Sequence, residues 1–210
     1  MRERLFAVLA GGEILDYDAV EIPPGSFIIA ADSGYRHAVK LGLTPDLIVG
    51  DFDSVELSAI GADIPRIGLA PDKNHTDTTH AIGLALERGA QRLLVAGALG
   101  GRLDHTMSNL QDLAYLSRKQ IRAKLTDGLT DVYALTNGCI EVAPRPNCYL
   151  SIFSMSNTCK GLTITGVRYE VSDFTLTFDH PRAVSNEFAN APAKICVENG
   201  TLCVMVVPKD

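Results

Sequence analysis

Short apolar runs alternate with longer mixed stretches through the first half of this 210-residue chain. Four of the runs are unbroken and rich in leucine and β-branched residues, which is the pattern of strands buried on both faces of a parallel sheet. They lie at residues 5–10, 27–32, 46–51 and 92–98. The pattern therefore predicts an α/β fold for this half of the chain.

Three of the intervening stretches predict helices. Residues 34–42 and 76–90 separate predicted strands, and the second stretch has Thr76 as its N-cap and Gly89 as its end. A third helix begins at Asp104, with an acid in its first turn and bases in its last. This alternation of strands and helices predicts a doubly wound, mostly parallel sheet.

The pattern changes after about residue 124, where short runs alternate between apolar and polar residues and are separated by turn residues. Such spacing is typical of an all-β, sandwich-like domain or a small barrel. Asn199 and Gly200 stand between two of these runs and predict a hairpin turn. We therefore predict an α/β domain at residues 1–125 and an all-β domain at residues 126–210.

The composition is that of a globular protein, with 46% hydrophobic and 21% charged residues. A net charge of -6 argues against broad nucleic-acid binding, which depends on many cationic contacts to phosphates. No window approaches the roughly 18 consecutive apolar residues of a membrane helix, so we predict no membrane association. The apolar run near the N-terminus is interpreted as a first strand rather than a signal peptide.

The chain has five cysteines, an odd number, and none of them form a CxxC pair. They are Cys139, Cys148, Cys159, Cys196 and Cys203. This pattern predicts neither a disulfide framework nor a zinc site, and it favours a reducing cytoplasm as the location of the protein.

Acids, glycines and bases follow the ends of several predicted strands. Asp32 follows the second strand, and the third leads into GDFDSV at residues 50–55. GALGGRLDH, at residues 97–105, follows the fourth strand, and PDKNHTD, at residues 71–77, leads into a helix. The carboxyl ends of parallel strands lie at one edge of a sheet, where ligands bind. The sequence therefore predicts a functional site at that edge.

Each of these motifs also has an ordinary structural interpretation as a surface turn or a helix cap. In the functional interpretation, Asp51 and Asp53 hold a hard cation such as Mg²⁺. Lys73 and Arg102 would then bind phosphate oxygens. GALGGR matches neither the P-loop nor the Rossmann fingerprint. Because four separate segments bring such residues to one edge, we favour the functional interpretation.

The motifs ADSG, PDLIVGDFDS, DKNHTD and GALGGRLDHTMSN, in this order, resemble those of the thiamine pyrophosphokinase family. GVRYEV at residues 166–171 and VSNEF at residues 184–188 extend the resemblance into the second half. The resemblance implies a Mg²⁺-dependent enzyme that transfers pyrophosphate from ATP to the hydroxyl of thiamine, giving thiamine diphosphate and AMP. It also implies an α/β catalytic, ATP-binding domain, a β-sandwich that binds thiamine and dimerises, and a homodimer with shared active sites.

The resemblance further implies roles for individual residues. The implied catalytic residues are Asp51, Asp53, Asp77 and Arg102. The implied ATP-binding residues are Asp32, Lys73, Thr76, Gly97, Gly100, Arg102, Asp104 and His105. The implied thiamine-binding residues are Tyr169, Ser185, Asn186 and Asp77, and the implied metal ligands are Asp51, Asp53, Asp77 and Asp72.

Two other functions remain open from the residues alone, namely a metal-dependent phosphohydrolase and a non-catalytic nucleotide-binding module. Which aspartate is the general base, and how many metal ions bind, also stay open. The chain departs from the family at two places. It has no tryptophan, so Tyr169 offers a smaller ring to the substrate, and ADSGYR replaces the common ADGGAN, with Ser33 and Arg36 at the altered positions.

Overall fold

The computed structural model describes residues 3–51, 63–69 and 75–209. The chain divides into two compact units. The first unit comprises Met1–Asn109 and Ile121–Gly128, and the second comprises Leu110–Gln120 and Leu129–Asp210.

The strands of the first unit pair in parallel, as the unbroken apolar runs predict. In the described residues they are β1 (Leu5–Leu9), β2 (Phe27–Ala31), β3 (Leu47–Gly50), β4 (Arg66–Gly68), β5 (Arg92–Ala96) and β6 (Arg122–Thr126). Their order across the sheet is β6-β5-β1-β2-β3-β4. β1 and β2 lie in the interior of this order, and all but the first residue of each are buried. The carboxyl ends of these strands therefore share one edge.

In the part of the chain that the structure describes, the helices are α1 (Tyr35–Lys40), α2 (Asp77–Glu87) and α3 (Leu103–Arg118). α1 is shorter than predicted because residues 32–34 form a 3₁₀ turn before it and Leu41 is its C-cap. Thr76 is the N-cap of α2, as predicted, and its side chain accepts a hydrogen bond from the N–H of Thr79 at 3.1 Å. Within residues 3–51, 63–69 and 75–209, no helix is long and apolar enough to cross a membrane.

The second unit is built from antiparallel strands. The described residues form β7 (Asp131–Val142), β8 (Cys148–Ser154), β9 (Thr158–Thr165), β10 (Val171–Thr177), β11 (Ala183–Glu187) and β12 (Ala193–Pro208). β12 pairs with β7 on one side. On its other side it pairs first with β9 and then with β8. The apolar side chains of these strands, among them Leu150, Leu162 and Val204, form the core of the unit.

The hairpin predicted at Asn199 and Gly200 is wrong, because β12 continues through both residues. The register between β12 and β7 shifts between Val197 and Thr201, and the N–H of Gly200 donates to Oδ1 of Asn137 at 2.8 Å. This is also where β12 exchanges β9 for β8 as its partner. The Asn-Gly pair thus allows an irregularity at which the strand changes partners, rather than a reversal of the chain.

A disulfide joins Cys139 of β7 to Cys196 of β12, which corrects the expectation that the cysteines form none. The two residues are 57 positions apart in sequence, but the strand register places them directly opposite each other. Cys148, Cys159 and Cys203 are buried thiols. Burial raises the pKa of Cys203 to about 12, so this thiol is unreactive at neutral pH.

We expect the double variant Cys139→Ser and Cys196→Ser to lower the free energy of unfolding by about 2–4 kcal/mol, because the crosslink restricts the unfolded chain. Denaturant titrations of the oxidised and reduced proteins measure this difference. Dithiothreitol should destabilise the wild-type chain by the same amount and leave the double variant unchanged. Equal stability of all four samples would contradict the prediction.

Candidate functional site

A cavity of about 440 Å³ opens at the carboxyl ends of β1, β2 and β5 in the first unit. We call it the strand-end cavity. Its lining comes from the residues that follow these strands, from the start of α2 and from the first turns of α3. These residues are Ala10, Gly11, Gly12, Glu13, Ala31, Asp32, Ser33, Thr76, Asp77, Thr78, Gly97, Ala98, Gly100, Gly101, Arg102, His105 and Asn109.

Most of the predicted ATP-binding residues that the structure describes line this cavity. They are Asp32, Thr76, Gly97, Gly100, Arg102 and His105, and Asp77 joins them. Asp51 is exposed directly after β3 and does not line the cavity, nor does Asp104, which binds Arg102. The predicted residues Asp53, Asp72 and Lys73 lie outside the described residues.

The ends of β2 and β3 lie close together. A methyl group added at Gly50 would lie 3.1 Å from the Cα atom of Asp32, so only a glycine fits without displacing the neighbouring backbone. Asp32 has a φ of 47°, in the left-handed region that few residues other than glycine, asparagine and aspartate adopt. This local strain turns the chain at the point where Asp32 reaches the strand-end cavity.

The turn after β5 is held by side chains of α3. Gly97, Gly100 and Gly101 all have positive φ, so this turn requires glycine. The hydroxyl of Thr106 donates to the carbonyl of Gly100 at 3.2 Å, and Nδ2 of Asn109 donates to the carbonyl of Ala98 at 2.8 Å. Two hydrogen bonds from one helix therefore fix the backbone of the turn that lines the cavity.

Arg102 and Asp104 form a two-point ion pair. Nε of Arg102 donates to Oδ1 of Asp104 at 3.1 Å, and Nη2 donates to Oδ2 at 2.6 Å. The hydrogen bond from Arg102 lowers the pKa of Asp104. Asp104 in turn raises the pKa of the guanidinium. Both side chains are exposed, so the pair orients Arg102 at the cavity rather than stabilising the fold.

The start of α2 supplies a different kind of anion site. Backbone N–H groups of the first helical turn lack partners within the helix, and the helix dipole favours negative charge there. Asp77, in this first turn, adds a carboxylate to the cavity lining. A carboxylate beside an anion site repels the anion unless a cation lies between them. The arrangement thus suits a ligand that combines phosphate with a metal ion.

Oxygen is the donor type that this edge offers to a metal. Asp32 and Asp77 line the strand-end cavity, and Asp51 follows the neighbouring strand. Carboxylate oxygens fit a hard cation such as Mg²⁺. In the part of the chain that the structure describes, no three acidic, histidine or cysteine side chains form a metal-binding cluster.

Sequence reasoning missed two parts of the cavity. Gly11, Gly12 and Glu13 line it directly after β1, yet they were not assigned a role. Their signal is the glycine pair at the carboxyl end of a strand, the same signal that identified residues 97–101. The sequence gives little indication of Asn109, because its contact with Ala98 depends on how α3 packs against the turn.

A second cavity, of about 240 Å³, lies in the second unit. We call it the Tyr169 cavity. Its lining combines apolar side chains with an arginine and an asparagine. These residues are Ile164, Tyr169, Val171, Phe174, Arg182, Ala183, Val184 and Asn186. Two of the predicted thiamine-binding residues, Tyr169 and Asn186, thus lie at one cavity, while Ser185 is exposed beside it.

The buried carboxamide of Asn186 holds the backbone of Tyr169. Oδ1 accepts hydrogen bonds from the N–H groups of Tyr169, at 3.1 Å, and Glu187, at 2.9 Å. Nδ2 donates to the carbonyl of Tyr169 at 2.8 Å. The Tyr169 ring is 59% exposed, and the guanidinium of Arg168 lies 5.2 Å from its centre. Asn186 therefore fixes where this exposed ring stands.

Ser185 adopts an unusual backbone conformation, with a φ of 58°. Its N–H donates to Oγ of Ser151 at 3.0 Å, and the register between β11 and β8 shifts between Ala183 and Asn186. A non-glycine residue held in the left-handed region beside a strand irregularity is a candidate functional position.

Comparisons with known proteins match two segments of this chain to models of one family. The family model described as "Thiamin pyrophosphokinase, catalytic domain" matches residues 22–125. The model described as "Thiamin pyrophosphokinase, vitamin B1 binding domain" matches residues 139–202. Together these matches cover most of the chain.

Individual proteins that resemble this chain are also named thiamine pyrophosphokinases. A thiamine pyrophosphokinase of Bacillus subtilis is 26% identical in an alignment of length 182 that covers 84% of this chain and 85% of that protein. Thiamin pyrophosphokinase 1 of Caenorhabditis elegans is 27% identical in an alignment of length 152 that covers 68% of this chain and 62% of that protein. A crystal structure of thiamine pyrophosphokinase from Bacillus subtilis has a TM-score of 0.86 and 24% identity, covering 99% of this chain and 100% of that one. The structural likeness shows a shared fold.

Proposed function

Because the chain belongs to the thiamine pyrophosphokinase family, we propose that it transfers a pyrophosphoryl group from ATP to the hydroxyl of thiamine, giving thiamine diphosphate and AMP. The observation that carries the proposal is the strand-end cavity, in which most of the described residues predicted to bind ATP converge from three strand ends and two helices. The alternatives of a phosphohydrolase and of a nucleotide-binding module do not account for the match to a vitamin B1 binding domain.

In this proposal the first unit binds ATP. The glycine turn at residues 97–101 and the start of α2 contact the phosphates through backbone N–H groups. Arg102, oriented by Asp104, and Lys73 neutralise phosphate charge that grows during transfer. The support for these roles is the position of Arg102 and of both backbone segments in one cavity.

We assign the proposed Mg²⁺ to Asp51, Asp53 and Asp77, and Asp72 is a further candidate ligand. Asp51 and Asp77 offer the carboxylate oxygens that this cation prefers. When bound, the ion would neutralise charge on the phosphate oxygens. An aspartate at this edge accepts the proton of the thiamine hydroxyl, and both Asp77 and the Asp51–Asp53 pair stay candidates for that base.

The second unit binds thiamine in this proposal. The exposed ring of Tyr169 stacks on the substrate, held in place by Asn186, whose carboxamide has two N–H donors. Ser185 presents its hydroxyl nearby. The support is that the match to the vitamin B1 binding domain includes all three residues. We propose residues 1–125 as a doubly wound catalytic domain and residues 126–210 as the β-sandwich.

We also propose a cytoplasmic homodimer whose active sites are shared between subunits, as the family resemblance implies. Sedimentation equilibrium measures the mass of the assembly directly. In a cytoplasm that keeps thiols reduced, the bond between Cys139 and Cys196 would be open for part of the time. Trapping free thiols in intact cells, followed by mass spectrometry, measures that fraction.

The function is tested by incubating the purified chain with Mg-ATP, with and without thiamine, and separating the products by chromatography. We expect AMP and thiamine diphosphate in equal amounts, and only when thiamine is present. Inorganic phosphate released without thiamine would instead indicate a phosphohydrolase. Binding of ATP with no product in either sample would indicate a nucleotide-binding module.

We expect Ser185→Gly and Ser185→Ala to have different effects on stability and the same effect on thiamine use. Glycine adopts the left-handed backbone freely, so it should raise the free energy of unfolding by about 1 kcal/mol, whereas alanine keeps the strain. Both variants lose the hydroxyl, so the KM for thiamine should rise in both by about 10-fold. Thermal unfolding and steady-state kinetics measure the two effects, and an unchanged KM in both variants would contradict a thiamine contact.

A further inference from the structure

His37 of α1 lies behind the glycines of the strand-end cavity and does not line it. Its Nε2 atom is 2.7 Å from the carbonyl oxygen of Gly12, and its Nδ1 atom is 2.7 Å from the hydroxyl oxygen of Tyr17. A methyl group added at Gly97 would lie 3.3 Å from the His37 ring. One imidazole thus contacts both glycine segments that follow β1 and β5.

The hydrogen-bond partners determine the protonation of the ring. A carbonyl oxygen only accepts, so Nε2 of His37 carries a hydrogen and donates it to Gly12. Burial lowers the pKa of His37 against the raising effect of the Gly12 hydrogen bond, and the charge of Lys40 lowers it further, so the ring is neutral at neutral pH. In the neutral ring Nδ1 accepts, so the hydroxyl of Tyr17 donates to it. The ring is held by two hydrogen bonds of fixed direction.

The Gly12 carbonyl that His37 binds belongs to the segment after β1, and this segment is hydrogen-bonded to the end of β5 and to the turn that follows it. The N–H of Gly12 donates to the carbonyl of Gly97 at 2.8 Å, and the N–H of Ala10 donates to that of Ala96 at 2.8 Å. A side chain at Gly12 would lie 2.5 Å from the carbonyl oxygen of Gly97, so the two backbones touch. Any rotation of the backbone at Gly12 would therefore move both walls of the cavity.

We infer that His37 is a positioning residue for ATP, which holds the Gly12–Glu13 peptide by its carbonyl and so sets Gly12 against the Gly97 turn. The inference rests on the proposed function, because it assigns ATP to the strand-end cavity. His37 touches no reacting atom, so its loss weakens ATP binding and leaves the chemical step nearly unchanged. Tyr17 acts one step further away, by orienting the ring.

Replacing His37 by glutamine or by asparagine tests its hydrogen bond to Gly12 separately from its hydrogen bond to Tyr17. Glutamine places its amide nitrogen near the position of Nε2, so His37→Gln keeps a donor for the Gly12 carbonyl. Asparagine reaches only the position of Nδ1, so His37→Asn leaves that carbonyl without its donor. We expect the KM for ATP to rise about 10-fold in His37→Asn and less than about 2-fold in His37→Gln. In both variants kcat and the KM for thiamine should stay within about 2-fold of wild type.

Calorimetric binding of Mg-ATP without thiamine provides a readout independent of turnover, and the same ranking of Kd is expected. Equal ATP affinity in the two variants, or a loss of affinity that follows thermal stability instead of the donor position, would overturn the inference.

If His37→Asn does not fold, Tyr17→Phe replaces it in the test, since it keeps the ring that Lys40 contacts and removes only the hydroxyl. An unchanged ATP affinity in Tyr17→Phe would then overturn the inference. Failure of the wild type to form thiamine diphosphate would refute the proposed function, while the calorimetric ranking would still test His37.

Discussion

Asp77→Asn is expected to lower kcat by about 1,000-fold, because it removes a charge from the site where we propose the metal and the phosphates meet. Asparagine has nearly the same shape, so the cavity lining and the start of α2 should remain in place. The helix loses a favourable first-turn charge, which is worth about 0.3–1 kcal/mol. Steady-state kinetics together with thermal unfolding separates the catalytic loss from the small structural one.

Glu87→Gln is the matched control for this variant. It removes an acid from the opposite end of the same helix, at an exposed position outside the strand-end cavity. We expect its kcat to equal that of the wild type. If Asp77→Asn retained wild-type kcat, or if it lost as much stability as a variant in the core, the proposed role of Asp77 would be wrong.

Gly97→Ala is expected to lower the free energy of unfolding by about 3–5 kcal/mol and to abolish activity. Gly97 has a φ of 71°, which strains any other residue, and the added methyl group would lie 2.6 Å from the carbonyl oxygen of Ala10. That oxygen is part of a backbone segment that cannot move without disturbing β1. Chemical denaturation and a product assay measure the two losses.

Gly101→Ala separates strain from steric overlap. Gly101 has a φ of 62°, but a methyl group there would have no atom within 4 Å. We therefore expect only the conformational cost, about 1–2 kcal/mol. If Gly97→Ala were no more destabilising than Gly101→Ala, the close approach of the backbones would not be the reason that residue 97 is a glycine.

The apolar pattern predicted β1, β2, β3 and β5 to within two residues at each end. These strands are almost entirely buried, so their sequences record burial directly. β4 and β6 were not predicted, because RIG and RAKLT are short or contain charged residues. Their place in the sheet follows from pairing with a neighbouring strand, which a local pattern does not contain.

Long-range register explains the two corrected predictions in the second unit. Asn199 and Gly200 have the local signature of a hairpin, but Asn137 on β7 accepts a hydrogen bond from Gly200 and the strand continues. Likewise, only the alignment of β7 with β12 brings Cys139 and Cys196 together. Turn propensity and cysteine spacing are local properties, whereas both outcomes depend on residues about 60 positions apart.

The sequence predicted residues that line the candidate site better than it predicted the residues that hold the site in place. Asp32, Asp77 and Arg102 were identified because charged residues at strand ends and at the start of a helix have few structural reasons to cluster. His37 and Asn109 were not, because each acts through a backbone carbonyl whose partner depends on tertiary packing. Sequence reasoning thus finds residues that face a ligand more readily than residues that hold those residues in place.

The position of β12 in the pairing scheme has a consequence for synthesis of the chain. β12 hydrogen-bonds to β7, β8 and β9, and all three precede it in the sequence. During translation these strands leave the ribosome before the one that joins them, so their edges stay exposed until residue 208 has been made. Contacts of such long sequence separation form slowly, and unpaired edges favour aggregation. The second unit therefore folds after translation of β12, and its yield in the cell depends on protection of those edges until then.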